Sequence, residues 1–365
     1  MAGGAHDWNT IPAWSWAGPA AGVVLLAAKY AHLVSSDNQL VILVAVAVLT
    51  VTVFAAVHHA EVLAAKIGQP FGSILLALAI TFIEVGLIIS VMAAGSPGSS
   101  EIARDTVFSV VIVVLNGIVG LCLVAGAARH YEQQFHLQGA VGILSVIATL
   151  AVISFVLPNY TLTTPGPTYT PGQLLFVGAD SLILYLLFIF VQTVRHRSDF
   201  VIDDGSDHVG EPPNARVTAL SAGLLVVSLV VVILLAKTLS PSVEGAVYAA
   251  GLPPSFVGVV IAIVVLLPEG LTALRAARKN QLQVSLNASL GSAAASIGLT
   301  IPIVGATSVY LGQPLALGLD QDSMALLVLT MFISSLTFAT GKTTVLQGAV
   351  HLVIFGVFLF LSAVP

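Results

Sequence analysis

The sequence predicts an all-α polytopic membrane protein with eleven transmembrane helices. Three observations carry this. Of 365 residues, 57% are hydrophobic and 8% charged, against about 25% charged in soluble domains, and mean hydropathy is +1.03. A water-soluble chain of this length could not cover its surface with so little charge. Apolar runs of membrane-crossing length recur along the chain. The cations between those runs are distributed unevenly, as they are in loops on opposite sides of a bilayer.

A spanning helix needs roughly 20 apolar residues. The runs lie at about 17–35, 39–58, 72–94, 105–128, 138–157, 173–194, 217–236, 254–274, 284–305, 323–339 and 343–363. Only closed hydrogen bonding survives in hydrocarbon, so these are helices rather than open strands. GSPGSS at 95–100, PGPTYTPG at 165–172, SPS at 240–242 and GLPPS at 251–255 punctuate them. No Lys or Arg precedes Lys29, so the basic region of a signal peptide is lacking and the first helix is expected to direct insertion.

One side of the chain collects Lys66, Arg129, Arg195, Arg197, Arg216, Arg275, Arg278, Lys279 and Lys342; the other collects Lys29, Arg104 and Lys237. Nine against three predicts that the first set is cytoplasmic, the N-terminus with it, and the C-terminus outside. The stretch RHRSDFVIDDGSDHVGEPPNAR, 195–216, reads as an acidic cytoplasmic linker. The net charge of -5 is small and local, and nothing points to nucleic acid. The single cysteine, Cys122, lies in an apolar run and reads as a packing residue.

The two halves share a pattern. GQPFGS (68–73) and GLPPSF (251–256) each lead into an apolar run with one glutamate, Glu84 or Glu269, at Gly-to-Glu distances of 16 and 18. The next run in each half holds Leu-Asn with a glycine four residues after the Asn: Asn116 and Gly120, then Asn287 and Gly291. The chain therefore divides into 1–37, a first five-helix repeat at 38–194, the linker 195–216, and a second repeat at 217–365. Five helices per half make the repeats inverted, an architecture in which secondary transporters rock around a midplane site.

Glu84 and Glu269 fall near the middle of their runs. An acid there costs roughly 2.5–3.5 kcal/mol on insertion scales, so each is expected to be protonated or to hold a cation. Protons and cation then compete for the same oxygens, as antiport requires. A calcium ion takes about six to eight oxygens. Asn116, Asn287, Ser292 and Ser296 are candidate donors, and Pro268 with Gly270 is expected to break the helix and free carbonyls beside Glu269. The small residues GSAAASIG, 291–298, suit close helix approach. Asp180 reads as an interfacial or vestibule acid, His58 and His59 as interface residues at the end of the second run, and His351 has no assigned role.

The runs PEGLTALRAARKNQLQVSLNASLGSAAASIGLTIP (268–302), AITFIEVGLIIS (79–90) and ARDTVFSVVIVVLNGIVG (103–120) resemble the calcium/cation antiporter superfamily, in its H+/cation exchanger branch. Within that branch the sequence looks most like the bacterial ChaA-type calcium/proton antiporters, over nearly the whole chain. The resemblance implies an hourglass of two inverted repeats, with one acid from each at the cation site; those positions match Glu84 and Glu269. It implies a bacterial inner membrane, exchange of Ca2+ against H+, and no cofactor beyond the transported ions. Many members carry an Asn before the first Glu; here the stretch is Ile80-Thr81-Phe82-Ile83-Glu84. Thr81 in its place fits a broader range including K+ and Na+, as the ChaA-type resemblance also implies.

A cation channel is the competing class, but channels commonly ring a pore with acids from several chains, whereas an internal repeat pairs them in one chain. An enzyme is disfavoured. HHAEV, 58–62, lacks the two-histidine spacing of a zinc protease, and no serine has an evident base.

Overall fold

The computed structural model describes residues 8–34, 38–68, 71–94, 99–200, 212–253 and 255–364. Among them lie eleven helical runs, one for each run expected. They are α1 (Ala13–Tyr30), α2 (Gln39–Ile67), α3 (Phe71–Ala94), α4 (Ser99–Ile112) continued by a π-helical turn Val113–Ile118 into α5 (Val119–His130), α6 (Leu137–Ala151), α7 (Pro171–Phe190), α8 (Ala215–Ala249), α9 (Phe256–Arg278), α10 (Leu282–Leu311), α11 (Gln321–Phe338) and α12 (Val345–Ala363). Nine of these runs are long and apolar enough to cross a membrane among the described residues, and α3 adds a shorter apolar core, Ile74–Ser90. The expected breaks at 95–98 and at Pro254, and the acids Asp203, Asp204, Asp207 and Glu211, lie outside the described residues.

Two expected boundaries move. α2 continues past 58 to Ile67, and α8 runs through Pro241 to Ala249 rather than stopping at SPS. Proline removes one backbone bond but ends a helix only where nothing else holds the turn. Here Ser240 Oγ donates to Glu244 Oε1 at 2.8 Å across that turn.

The chain forms two compact units. The first takes 1–90 and 203–246: α1, α2, most of α3 and most of α8. Leu26, Val231 and Leu235 form a buried cluster there, with Val48 and Leu49 packed on it. Glycines allow the close approach: a Cβ on Gly18 would lie 2.8 Å from Val51, and one on Gly86 would lie 2.7 Å from Ile233 Cγ1.

The second unit takes 91–202 and 247–365. α10 packs against α6, α7 and α9, α4 against α9, and α12 against α5. A Cβ on Gly298 would lie 2.6 Å from Tyr185 Cβ, and one on Gly178 3.2 Å from Pro302 Cα. At one end β1 (Gln133–Gln134) pairs antiparallel with β2 (Lys342–Thr343), and Lys342 Nζ lies 3.0 Å from Glu132 Oε1. Gln133 Nε2 donates to the Ala277 carbonyl at 2.9 Å there, so Arg129, Arg278, Lys279 and Lys342 gather at this end. At another, the Ala316 N–H donates to the Ser100 carbonyl and the Leu317 N–H to Pro167.

Candidate functional site

Glu84 belongs to the first unit and sits in α3, 3% exposed. Thr81 precedes it by three residues, which places both on one helix face, and is 5% exposed. Ile80, Ile83, Val85 and Ile88 are buried around them, whereas Phe82 is 64% exposed. An acid on the enclosed face of so apolar a helix is retained only with a function or a partner to offset its desolvation.

Glu269 belongs to the second unit, half-buried in α9. Ser292 of α10 donates its Oγ–H to Glu269 Oε2 at 2.6 Å, the short charge-assisted kind of bond. Ser296, one turn further, is buried and shares that face. Ser285, Ser289, Ser292, Ser296 and Thr300 recur every three or four residues, so α10 turns one continuous hydroxyl stripe inward, all of it buried. Among the described residues, the hydroxyls of Ser289 and Thr300 have no hydrogen-bond partner.

The expected helix break is corrected. α9 is continuous through Pro268 and Gly270. Pro268 lacks an N–H, so one backbone bond to Val264 is missing, but Thr272 Oγ1 donates to the Pro268 carbonyl at 3.1 Å and the helix carries on. Gly270 serves packing: a Cβ there would lie 3.3 Å from Ile118 at the end of the π-helical turn.

Both asparagines have their amides engaged between elements. Asn116 Nδ2 donates to Thr330 Oγ1 at 2.8 Å, and its Oδ1 lies 3.0 Å from His351 Nδ1. Asn287 Nδ2 donates to the Phe200 carbonyl, while its Oδ1 accepts from Gln283 Nε2 at 2.9 Å. Asn287 thus anchors the start of the acidic linker, where Phe200 is buried against Phe188.

The remaining candidates lie apart. Asp180 is exposed on α7. His59 is fully buried in the first unit, its Nε2 3.1 Å from the Ser15 carbonyl and its Nδ1 3.3 Å from Ser221 Oγ. His58 packs its ring on Trp14 at 5.3 Å. Sequence reasoning missed two features. One is a charged knot in which Arg104 binds Asp105 at 2.8 Å, Glu101 at 3.3 Å and the Gly318 carbonyl at 3.1 Å; the Arg-Asp pair at the head of an apolar run was its signal. The other is the His351–Asn116–Thr330 network, signalled by a histidine inside an apolar span.

Comparison with known proteins places the chain. The family model for the sodium/calcium exchanger protein matches residues 38–194 and 220–364. The putative ionic transporter y4hA of Sinorhizobium fredii is 52% identical over 359 residues, covering 97% of both chains. The sodium-potassium/proton antiporter ChaA of Escherichia coli is 35% identical over 312 residues, 84% of each chain. The crystal structure of the H+/Ca2+ exchanger CAX shares the fold at a TM-score of 0.68 and 14% identity, covering 96% of this chain and 93% of that one.

Eleven helical runs among the described residues, nearly bare of charge but enclosing the acid Glu84, and relatives of this kind define a multi-pass membrane cation exchanger, a transporter and not an enzyme. The chain belongs to the sodium/calcium exchanger protein family, and its likeness to ChaA puts it in the ChaA-type branch.

Proposed function

We propose that the protein is a cation/proton antiporter of a bacterial inner membrane that exports Ca2+ in exchange for H+ by alternating access. Glu84 and Glu269, one from each half of an inverted repeat, are the groups for which cation and protons compete. Thr81, Ser292 and Ser296 add oxygens. The basic end of the second unit faces the cytoplasm by the positive-inside rule, with the N-terminus inside and the C-terminus outside.

The observation that carries this is the 2.6 Å bond from Ser292 to the Glu269 carboxylate within a helix of membrane-crossing length. A hydroxyl there serves either occupant. It donates to the bare carboxylate and turns its lone pairs to an arriving cation. Reorienting two bare carboxylates through hydrocarbon is costly, so the cycle reorients only when they are protonated or cation-bound. That requirement couples the fluxes.

A second reading, mainly K+ or Na+ against H+ on the same fold, is favoured by Thr81 beside Glu84 and by the name of the 35%-identical relative, a sodium-potassium/proton antiporter. Everted vesicles given Ca2+, K+ or Na+ separately, with pH recovery as the readout, distinguish the two. Glu84→Gln and Glu269→Gln are each expected to abolish exchange at unchanged expression, and the double variant to be no worse than either single. Full activity in either single variant refutes the assignment.

A further inference from the structure

His351 of α12 is fully buried, and both its ring nitrogens are engaged: Nδ1 at 3.0 Å from Asn116 Oδ1 and Nε2 at 3.1 Å from Thr337 Oγ1. Asn116 Oδ1 is an acceptor only, since the amide Nδ2 is turned to Thr330. His351 therefore carries a proton on Nδ1, and in the neutral ring Nε2 accepts from the Thr337 hydroxyl. Thr330 and Thr337 lie two helical turns apart on one face of α11, both buried, and anchor the two ends of this network. A chain of His, Asn and two Thr inside an apolar bundle is tolerated only because it is satisfied from end to end.

Its location gives it a use. Asn116 sits within the π-helical turn Val113–Ile118, which interrupts an otherwise α-helical run. Such turns are rare and are frequently found at functional sites; Val152–Val156 and Val191–Arg195 are also π-helical but lie at the ends of α6 and α7, whereas this one lies within a run. Something must hold this one, and the bonds from Asn116 to α11 and α12 do. α12 reaches it because the chain is bare there: a Cβ on Gly117 would lie 3.3 Å from the Phe355 ring, and one on Gly120 3.1 Å from His351 Cβ. On its other side the turn ends in Ile118, whose side chain meets Gly270, the residue after Glu269. Relaxation of the turn to α-helix shifts the register by one residue, about 100° of rotation. That withdraws Ile118 from Gly270.

We propose that His351 is a positioning residue for exchange: through Asn116 it fixes the π-helical turn against Gly270 and so sets the placement of the Glu269 carboxylate. This rests on Glu269 being a cation/proton group. It touches neither cation nor reacting proton itself.

The test uses the full-length chain in proteoliposomes, with cation-driven proton flux measured against Ca2+, K+ and Na+ in turn. His351→Leu and Asn116→Leu are each expected to raise the half-saturating cation concentration about tenfold, with maximal rate within about twofold. The double variant is expected to match the worse single, because both break one network. His351→Asn, whose amide nitrogen replaces the Nδ1 donor, is expected to recover half-saturation to within about threefold of wild type. A merely structural histidine predicts less folded protein and an unchanged half-saturation. That result in folded His351→Leu, or additive effects in the double variant, overturns the proposal. Should His351→Leu not fold, Thr330→Val removes the far anchor, and unchanged half-saturation in that variant overturns it equally. Failure of the underlying reading shows separately, as equal fluxes from wild type and Glu269→Gln.

Discussion

Ser292→Ala removes the hydrogen bond that the Ser292 hydroxyl donates to the Glu269 carboxylate. The Oγ-to-Oε2 separation is 2.6 Å. Hydrogen bonds to charged groups contribute about 1.5–3 kcal/mol. Glu269 is half-buried, so water replaces part of the lost donor, and about half of that range, roughly 1 kcal/mol, is the net loss. The donor favours the ionised carboxylate over the protonated one, so its removal hands the advantage to the proton. At fixed pH the cation concentration for half-maximal exchange should rise about fivefold, since a factor of ten corresponds to about 1.4 kcal/mol. Maximal rate should change less, because saturating cation still displaces the proton. The assay is cation-dependent pH recovery in vesicles across a cation titration, with Ser292→Thr, which keeps the hydroxyl, as the matched control. A folded Ser292→Ala protein with wild-type half-saturation would refute the reasoning, because the bond would then be irrelevant to the competition.

Three further outcomes are expected. Glu84→Gln and Glu269→Gln abolish exchange in everted vesicles while membrane levels hold. Gly298→Ala pushes a methyl into Tyr185 and should destabilise the detergent-solubilised protein by about 1–3 kcal/mol, whereas Gly291→Ala, which meets nothing within 4 Å, should not; thermal unfolding compares them. In the loop before α7, burial pushes Tyr169 up from 10.0 to about 12 while its hydroxyl donates to the Ile153 carbonyl at 2.6 Å. Its contribution to stability is therefore complete below pH 10 and is lost as pH rises towards about 12; tyrosinate absorbance compared with Tyr169→Phe checks it.

The helices were legible because membrane crossing is a matter of length and composition, and nine of the eleven runs among the described residues show both. Their ends were less so. Pro241 and Pro268 read as breaks by rules drawn from water, where an unpaired carbonyl simply finds solvent. In a helix bundle packing holds the turn, and α9 carries on through Pro268 although the Val264 carbonyl loses its backbone partner. Glu84, Glu269 and Ser292 stood out because polar atoms in an apolar run need a reason. Sequence shows that such an atom requires a partner but not which one it finds. Asn116 and Asn287 appeared equivalent by repeat, yet one binds Thr330 and faces His351 while the other ties down Phe200. The π-helical turn left no trace, because it depends on α12, more than two hundred residues away in sequence.

Cys122, the chain's one thiol, is fully enclosed in α5. Water-soluble maleimides react with exposed thiolates and leave such a sulfur alone. The natural chain is thus already a blank background for site-directed labelling. A cysteine placed in any connecting loop becomes the sole target for reagents added from one face of a sealed vesicle. Sidedness of every loop, and its change as cations are added, can then be mapped without first stripping native residues from the protein.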